Sequence, residues 1–279
     1  MEKDIRELKL IANTLRRHIV EMIAEAGSGH PGGSLSAVEA VTALYFGGVL
    51  NHDPQNPQWE QRDRFILSKG HAAPVLYAAY AEAGYIDKKI LTTLRKLGSP
   101  LQGHPDKRKL PILEASTGSL GQGVSIGIGM ALAGKLDQKP WQVFVLIGDG
   151  EANEGQIWEA AMFAGHHQLD NLTVILDFNG YQLDDATKVI LDLEPIREKW
   201  AANKWHVIDV DGHDMRAMLA ALKEAKQFKG KPSVVIARTV KGKGVSFMEN
   251  NNKFHGSAPS KEELQQALAE LDQERKQLI

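Results

Sequence analysis

Two glycine-flanked residues at the ends of apolar runs are the first candidates for chemistry. In VFVLIGDGEANEG the run ends at Ile147, and Asp149 stands between Gly148 and Gly150. In LTVILDFNGY a second run leads into Asn179-Gly180, so that Asn179 follows Asp149 by 30 positions. That is the length of one strand–helix–strand unit. On a parallel sheet the two residues then share one edge, where open α/β sheets hold ligands. A carboxylate, an amide oxygen and a nearby backbone carbonyl are hard oxygen ligands, suited to Mg²⁺ or Ca²⁺ sharing its shell with a diphosphate. Gly150 lets a backbone N–H approach a phosphate. Asp-Gly and Asn-Gly are also common turn pairs, and either one alone reads as a turn. Paired at this spacing they favour a metal site.

A second anion cradle is STGSLGQG (116–123), set just before a helix-like stretch. Amides at a helix start point at anions. The segment has neither the G-x-G-x-x-G order of a dinucleotide fold nor the Gly-Lys-Ser/Thr of a P-loop. By itself it also reads as a tight loop. Four histidines form the third feature: His30 in SGHPGG, His71 in SKGHAAP, His104 in QGHP and His255 in KFHGSAP. All lie in Gly/Pro loops, where α/β scaffolds carry function. Imidazoles hydrogen-bond polyhydroxylated ligands, move protons near neutral pH and stabilise oxyanions. A single loop histidine is ordinarily a solvated side chain. The rival reading of a histidine-rich zinc hydrolase lacks an HExxH pattern or a close ligand pair. His166 and His167 are adjacent and read as structural. His18, His52 and His206 take the same bland reading, and His213 in VDGHD marks a turn before an Asp214 N-cap.

These residues need a scaffold. Residues 64–67, 143–147, 172–178, 206–210 and 233–237 read as strands, the last four as runs buried on both faces. Helical segments at 154–168, 195–203 and 214–228 alternate with them. This predicts an α/β fold with a doubly wound, mainly parallel sheet flanked by helices. Upstream, Ile5, Leu8, Ala12, Leu15, Ile19 and Met22 give an amphipathic helix over 4–25. Residues 27–34 read as a loop, with Ser34 or Ser36 capping the next helix. Helices are also expected at 72–83, 87–96 and 124–135. In the last of these, Gly127, Gly129 and Gly134 imply a closely packed neighbour. A capping box at Ser260 and Glu263 opens a helix over 260–277. No repeat or linker stands out, so a single domain over 1–279 is expected.

Composition narrows the function classes. Among 279 residues, 33 Lys and Arg balance 35 Asp and Glu, leaving a net charge of −2. That excludes a broadly basic nucleic-acid surface and gives no reason for an anionic membrane partner. The absence of cysteine excludes disulfides, Cys-zinc and Fe–S sites and a thiol nucleophile. The N-terminus is charged and no apolar run approaches the ~20 residues of a membrane helix. A cytoplasmic location is expected.

Taken in order, SGHPGG, SKGH, QGHP, TGSLGQG, GDGEANEG, DFNGY and KFHG resemble the N-terminal part of transketolase from residue 5 to about residue 260. The resemblance implies a thiamine-diphosphate-binding domain of the diphosphate-holding type. It implies Asp149, Asn179 and the Tyr181 carbonyl as Mg²⁺ ligands, with Ca²⁺ as a substitute. Gly150, Asn179, Gly118, Ser119, Leu120 and His71 become cofactor contacts. His30 and His255 become substrate contacts near the reacting carbon, His255 also reaching the diphosphate, and His104 a contact to sugar hydroxyls. Glu154 becomes an acid near the subunit interface. The implied reaction passes a two-carbon ketol unit from a ketose phosphate to an aldose phosphate, as in the pentose phosphate pathway. Full transketolases are more than twice this length, and the pyrimidine-binding domain is absent here. The resemblance therefore implies the N-terminal subunit of a split enzyme in a two-plus-two assembly. Ser119 stands where proline is usual and Tyr181 where an aliphatic residue is usual. A deoxyxylulose-phosphate-type synthase subunit and a non-catalytic thiamine-diphosphate-binding regulatory subunit are the alternatives.

Overall fold

The computed structural model describes residues 3–279; Met1 and Glu2, included in the single-domain expectation, lie outside the described residues. The chain runs α1 (Ile5–Ala26), α2 (Pro31–Ser36), α3 (Val38–Phe46), β1 (Arg64–Leu67), α4 (Ala73–Ala83), α5 (Gln122–Leu136) and β2 (Val143–Gly148). It continues α6 (Gly155–His166), β3 (Leu172–Phe178), α7 (Thr187–Ile190), α8 (Ile196–Ala202), β4 (His206–Asp211), α9 (Met215–Gln227), β5 (Ser233–Arg238) and α10 (Lys261–Leu278). The five strands pair in parallel in the order β1-β2-β3-β5-β4.

Side-chain alternation explains the continuous apolar runs. Phe144, Leu146, Ile175 and Val235 point into one core, shared with α1, α3, α4, α9 and α10. Val143, Val145, Ile147, Val174, Leu176 and Ile236 point into the other, shared with α5, α6 and α8. Both faces of the central strands are covered, so neither position class is polar. The expectation that 206–210 is buried on both faces is corrected: β4 lies at the sheet edge, where only β5 pairs with it, and is only partly buried.

Local signals start and stop the helices. Asp4 caps α1 in a box with Glu7, and Gly27 ends it with φ 63°. Asp214 caps α9, and Ser260 and Glu263 form the box that opens α10. No helix among the described residues is long and apolar enough to cross a membrane.

Four local expectations are corrected. Part of the 27–34 loop is helical, because Pro31 suits a first helical turn. Neither Ser34 nor Ser36 caps α3: Ser34 Oγ donates to the His30 carbonyl and Ser36 Oγ to Asp177, leaving Ala37 at the cap. The segment 87–96 holds only a 3₁₀ turn at Lys88–Thr93, ending before Gly98 and Pro100. In α5, Gly127 and Gly134 pack close, since a Cβ would lie 2.6 Å from Val145 and 2.5 Å from Trp141. Gly129 instead faces open space.

Candidate active site

The carboxyl ends of β1, β2, β3 and β5 converge on one buried charged cluster. Lys69, just past β1, donates to the Asp177 carboxylate at the end of β3 and to the Gly33 carbonyl at 2.7 Å. Asp177 also accepts from Ser36 at 2.6 Å, from Asn179 at 3.0 Å and from Thr239. Burial works against its charge, but Lys69 and these donors outweigh it and hold the carboxyl below its ordinary range.

Asp149 differs. It is 1% exposed and accepts only backbone N–H groups, from Gly150 at 2.9 Å and Gly180 at 2.5 Å. Burial, then the neighbouring Asp177 charge, push its carboxyl up to about 7. Among the described residues none forms a salt bridge to it within 4 Å. A buried carboxylate beside a second one, with no bonded cation, is a fit for a divalent ion. Asn179 and Tyr181, the expected partners of Asp149, stand close by, with Asn179 Oδ1 accepting from Tyr181 N at 3.1 Å. Both line the same cleft as Asp149, a space of about 200 Å³ that Gly150, His71, Leu120 and His255 also border.

Glu151 joins the loops around this cleft. Its buried carboxylate accepts from Ser68 after β1, from Gly121 N at 3.0 Å and from Gly148 N at 3.2 Å. Three segments that are distant in sequence are thereby tied to one side chain. Glu154 lines the cleft too, exposed at the foot of α6, with its side chain against Gly121.

The four loop histidines meet. Ring centroids separate His30 from His71 by 5.3 Å, from His255 by 5.5 Å and from His104 by 6.1 Å, and His71 lies 5.4 Å from His255. Burial pulls His30 down to about 4, with the charges of Arg95, His104 and Lys241 adding to it. Burial and the Lys241 ammonium pull His255 down to about 3. His71 is held well below its ordinary value by burial and Lys69. At neutral pH these three rings are uncharged. Each can donate from one nitrogen and accept at the other. His255 Nδ1 lies 2.8 Å from Lys241 Nζ, so Nδ1 accepts and Nε2 carries the proton. No group of three or more His, Cys, Asp or Glu among the described residues could hold a metal ion.

The structure thus gathers Asp149, Gly150, Asn179, Tyr181, His71, Leu120, Glu154 and His255 around one cleft. His30 and His104 join through ring contacts; His104 is exposed and also edges a separate groove with Thr117. Gly118 sits behind His104, where a Cβ would lie 3.1 Å from the ring. Ser119 is exposed and does not line the cleft.

Elsewhere the bland readings need adjusting. His166 and His167 are exposed rather than part of the packing, His167 resting on Phe163. His213 precedes the Asp214 cap, but its ring is bonded on both sides. Four buried groups at the site escaped the sequence reading: Lys69, Glu151, Asp177 and Lys241. Asp177 was signalled by a charge inside the apolar run LTVILDF. Lys69 and Glu151 stood inside segments singled out for other residues, and Lys241 follows the last strand in TVKGKG.

The family described as "Transketolase, thiamine diphosphate binding domain" matches residues 7–278. The chain is 46% identical over 268 residues to the 6-deoxy-6-sulfo-D-fructose transketolase subunit SqwG of Clostridium sp. (strain MSTE9), covering 96% of this chain and 97% of that one. It is 44% identical over 269 residues to an apulose-4-phosphate transketolase subunit of Actinobacillus succinogenes, covering 96% and 97%. The solved transketolase of Campylobacter jejuni superposes with a TM-score of 0.91 at 34% identity, over 97% of this chain but 43% of that one. The chain therefore spans less than half of the solved transketolases it matches, and nearly all of the two subunits.

Proposed function

The chain belongs to the transketolase family, matching its thiamine diphosphate binding domain, and from that premise we propose that it is the diphosphate-anchoring subunit of a split transketolase. It transfers a two-carbon ketol unit between an anionic ketose and an aldose phosphate, and it works with a second subunit that carries the pyrimidine-binding domain. The relatives named above are subunits acting on a sulfonated and a phosphorylated sugar, which supports a substrate with a terminal phosphate or sulfonate.

One observation carries the reading. A buried carboxylate without a bonded cation, Asp149, shares a cleft of about 200 Å³ with uncharged histidines. Asp149, Asn179 and the Tyr181 carbonyl would hold Mg²⁺, and the Gly150 amide, Leu120, His71 and Lys241 would hold the diphosphate and its neighbouring ring. Thiamine diphosphate, when bound, supplies the carbanion chemistry that lets a ketose C2–C3 bond break. The chain's own residues manage protons and orientation. His255 presents Nε2–H to the oxygen that gains charge, because Lys241 occupies Nδ1. His30, uncharged and 5.5 Å away centroid to centroid, takes up or returns a hydroxyl proton. His104 binds sugar hydroxyls at the open end. Leu120 and Leu183 add nonpolar side chains to the lining.

The partner covers the outer side of α5 and α6, near Glu154. Gly129 is open there, and Leu136, Met162 and Phe163 are 85%, 57% and 43% exposed. Large apolar side chains exposed on two neighbouring helices suit an interaction surface. The test is a ketol-transfer assay with thiamine diphosphate and Mg²⁺, run with and without a candidate pyrimidine-domain subunit. Turnover is expected only with both. Full turnover by this chain alone would refute the split-enzyme reading, and tight cofactor binding with no turnover under any pairing would favour the regulatory alternative.

A further inference from the structure

Lys241 is 2% exposed, yet it lies on an irregular strap between β5 and α10 rather than on a helix or strand. Something must hold that strap. Its backbone is gripped position by position. Thr239 N donates to Phe178 O at 3.1 Å, Gly242 N to Gly32 O at 3.0 Å, and the Lys241 carbonyl accepts from Asn250 N at 2.8 Å. Two further grips, on either side of Lys241, come from side chains that the proposed chemistry does not use. Val240 N donates to His213 Nε2 at 2.8 Å, and the Lys243 carbonyl accepts from Arg16 Nε at 3.1 Å.

His213 and Arg16 are one unit. His213 Nδ1 lies 3.0 Å from Glu39, whose other oxygen accepts from Arg16 at 2.5 Å. Arg16 is 3% exposed and Glu39 6% exposed. Since Nε2 accepts from a backbone N–H, it carries no proton, so Nδ1 is the donor to Glu39. The carboxylate thus sets the tautomer, the tautomer holds Val240, and Arg16 closes the loop at Lys243. Arg16 also packs closely beneath Gly244, where a Cβ would lie 2.7 Å from it.

We infer that His213, backed by the Glu39–Arg16 pair, is a positioning residue for the Lys241–His255 arm of the cleft. It touches neither His255 nor the cleft. It holds Val240, the residue before Lys241, and Lys241 Nζ then reaches His255 Nδ1 and Asn252 Oδ1 at 2.8 and 3.0 Å. The hydrogen-bonding state of His255 is therefore set from a side chain on a different loop, at the end of β4.

The test separates the two sides of the His213 ring. His213→Gln carries an amide oxygen to the reach of Nε2 and keeps the Val240 bond; His213→Asn keeps a polar atom near Glu39 and leaves Val240 without an acceptor. The first readout is the ¹⁵N–¹H side-chain spectrum of His255 in the full chain at pH 7, without cofactor. The parent and His213→Gln are expected to show Nδ1 as a hydrogen-bonded acceptor and Nε2 protonated; His213→Asn is expected to lose that pattern. A merely structural role would shift the melting temperature of both variants and leave His255 alone. The second readout is calorimetric affinity for thiamine diphosphate with Mg²⁺, an arm that rests on the reading proposed above. His213→Asn is expected to bind about tenfold more weakly, with no further loss when added to Lys241→Met. An unchanged His255 pattern in folded His213→Asn, or identical behaviour of the two variants, would overturn the inference. Should His213→Asn not fold, Arg16→Lys removes the Lys243 bond and keeps the charge beside Glu39, with the same expectation for His255. If Lys241→Met leaves cofactor affinity unchanged, the cofactor reading falls, and the His255 spectrum still decides the strap.

Discussion

The two halves of the cleft are built on opposite principles. The Asp149–Asn179 half sits on the ends of adjacent strands, with Asp149 N bonded to the Asp177 carbonyl at 3.2 Å. It is made of buried charge: one carboxylate fully compensated by Lys69, and one bonded only to amides. The histidine half comes from four loops between residues 30 and 255, and its three inner rings are uncharged. The difference teaches where stability and chemistry part company. Buried charge must be matched or the fold suffers. Neutral rings in loops carry little packing and can be spared by the fold.

The comparison can be broken most severely at Asp177. Asp177→Ala would strand Lys69 and the Ser36, Thr239 and Asn179 donors, with an expected cost of about 3–5 kcal/mol. Urea denaturation reads it, and a loss near zero would show that Lys69 is not held by this charge. Asp149→Ala should behave in the reverse manner. Removing a buried, uncompensated carboxylate should cost the cofactor-free fold less, about 1–3 kcal/mol for the Gly150 and Gly180 N–H groups left without an acceptor, yet affinity for thiamine diphosphate with Mg²⁺ should fall by more than about a hundredfold. Calorimetry with and without chelator checks this. Retained affinity would remove Asp149 from the metal site.

On the histidine side, His30→Ala and His255→Ala should each lower kcat/KM of the assembled enzyme by about a hundredfold or more. Their melting temperatures should stay near the parent value. Variants that melt early while keeping activity per folded molecule would make these rings structural.

The halves should also differ in pH dependence, with opposite signs. His30 and His255 fall from the ordinary 6.5 to about 4 and about 3. Their contribution is complete above 6.5 and is lost as pH falls toward those values, because the unfolded chain binds the protons first. Asp149 rises from 3.8 to about 7. Its contribution is complete below 3.8 and is lost as pH rises toward 7, because the folded chain keeps the proton longer. Denaturation of the metal-free chain from pH 4 to 8 should therefore gain slope in Asp149→Asn, where the opposing loss is gone, and lose slope in His30→Gln/His255→Gln. Equal slopes in the three proteins would dissolve the distinction.

Much of the first half was legible in residue order. Asp149 and Asn179 each end an apolar run, and 30 positions is the span that returns a parallel strand to its neighbour's side. The two-faced core was legible for β2, β3 and β5, whose uninterrupted apolar runs have no face to give to water, but not for the edge strand β4. Capping residues marked the starts of α9 and α10 because those signals act within one turn. The histidines were visible as a class, loop residues flanked by Gly and Pro, but not as a cluster. Nothing in the spacing of His30, His71, His104 and His255 follows a period, and their gathering was anticipated only through the family resemblance.

What tertiary structure alone decided is which polar groups answer one another. Ser36 looked like a helix cap and instead donates to Asp177, 141 residues away. His213 looked like a turn and instead holds Val240. Gly129 looked like its neighbours Gly127 and Gly134 but faces outward, because a helix turns its residues to different sides. Local rules act through backbone hydrogen bonds and apolar period, both written in consecutive residues. The pairing of buried charges and donors depends on which loops the sheet brings to one edge, and that is settled only when the chain has closed around it.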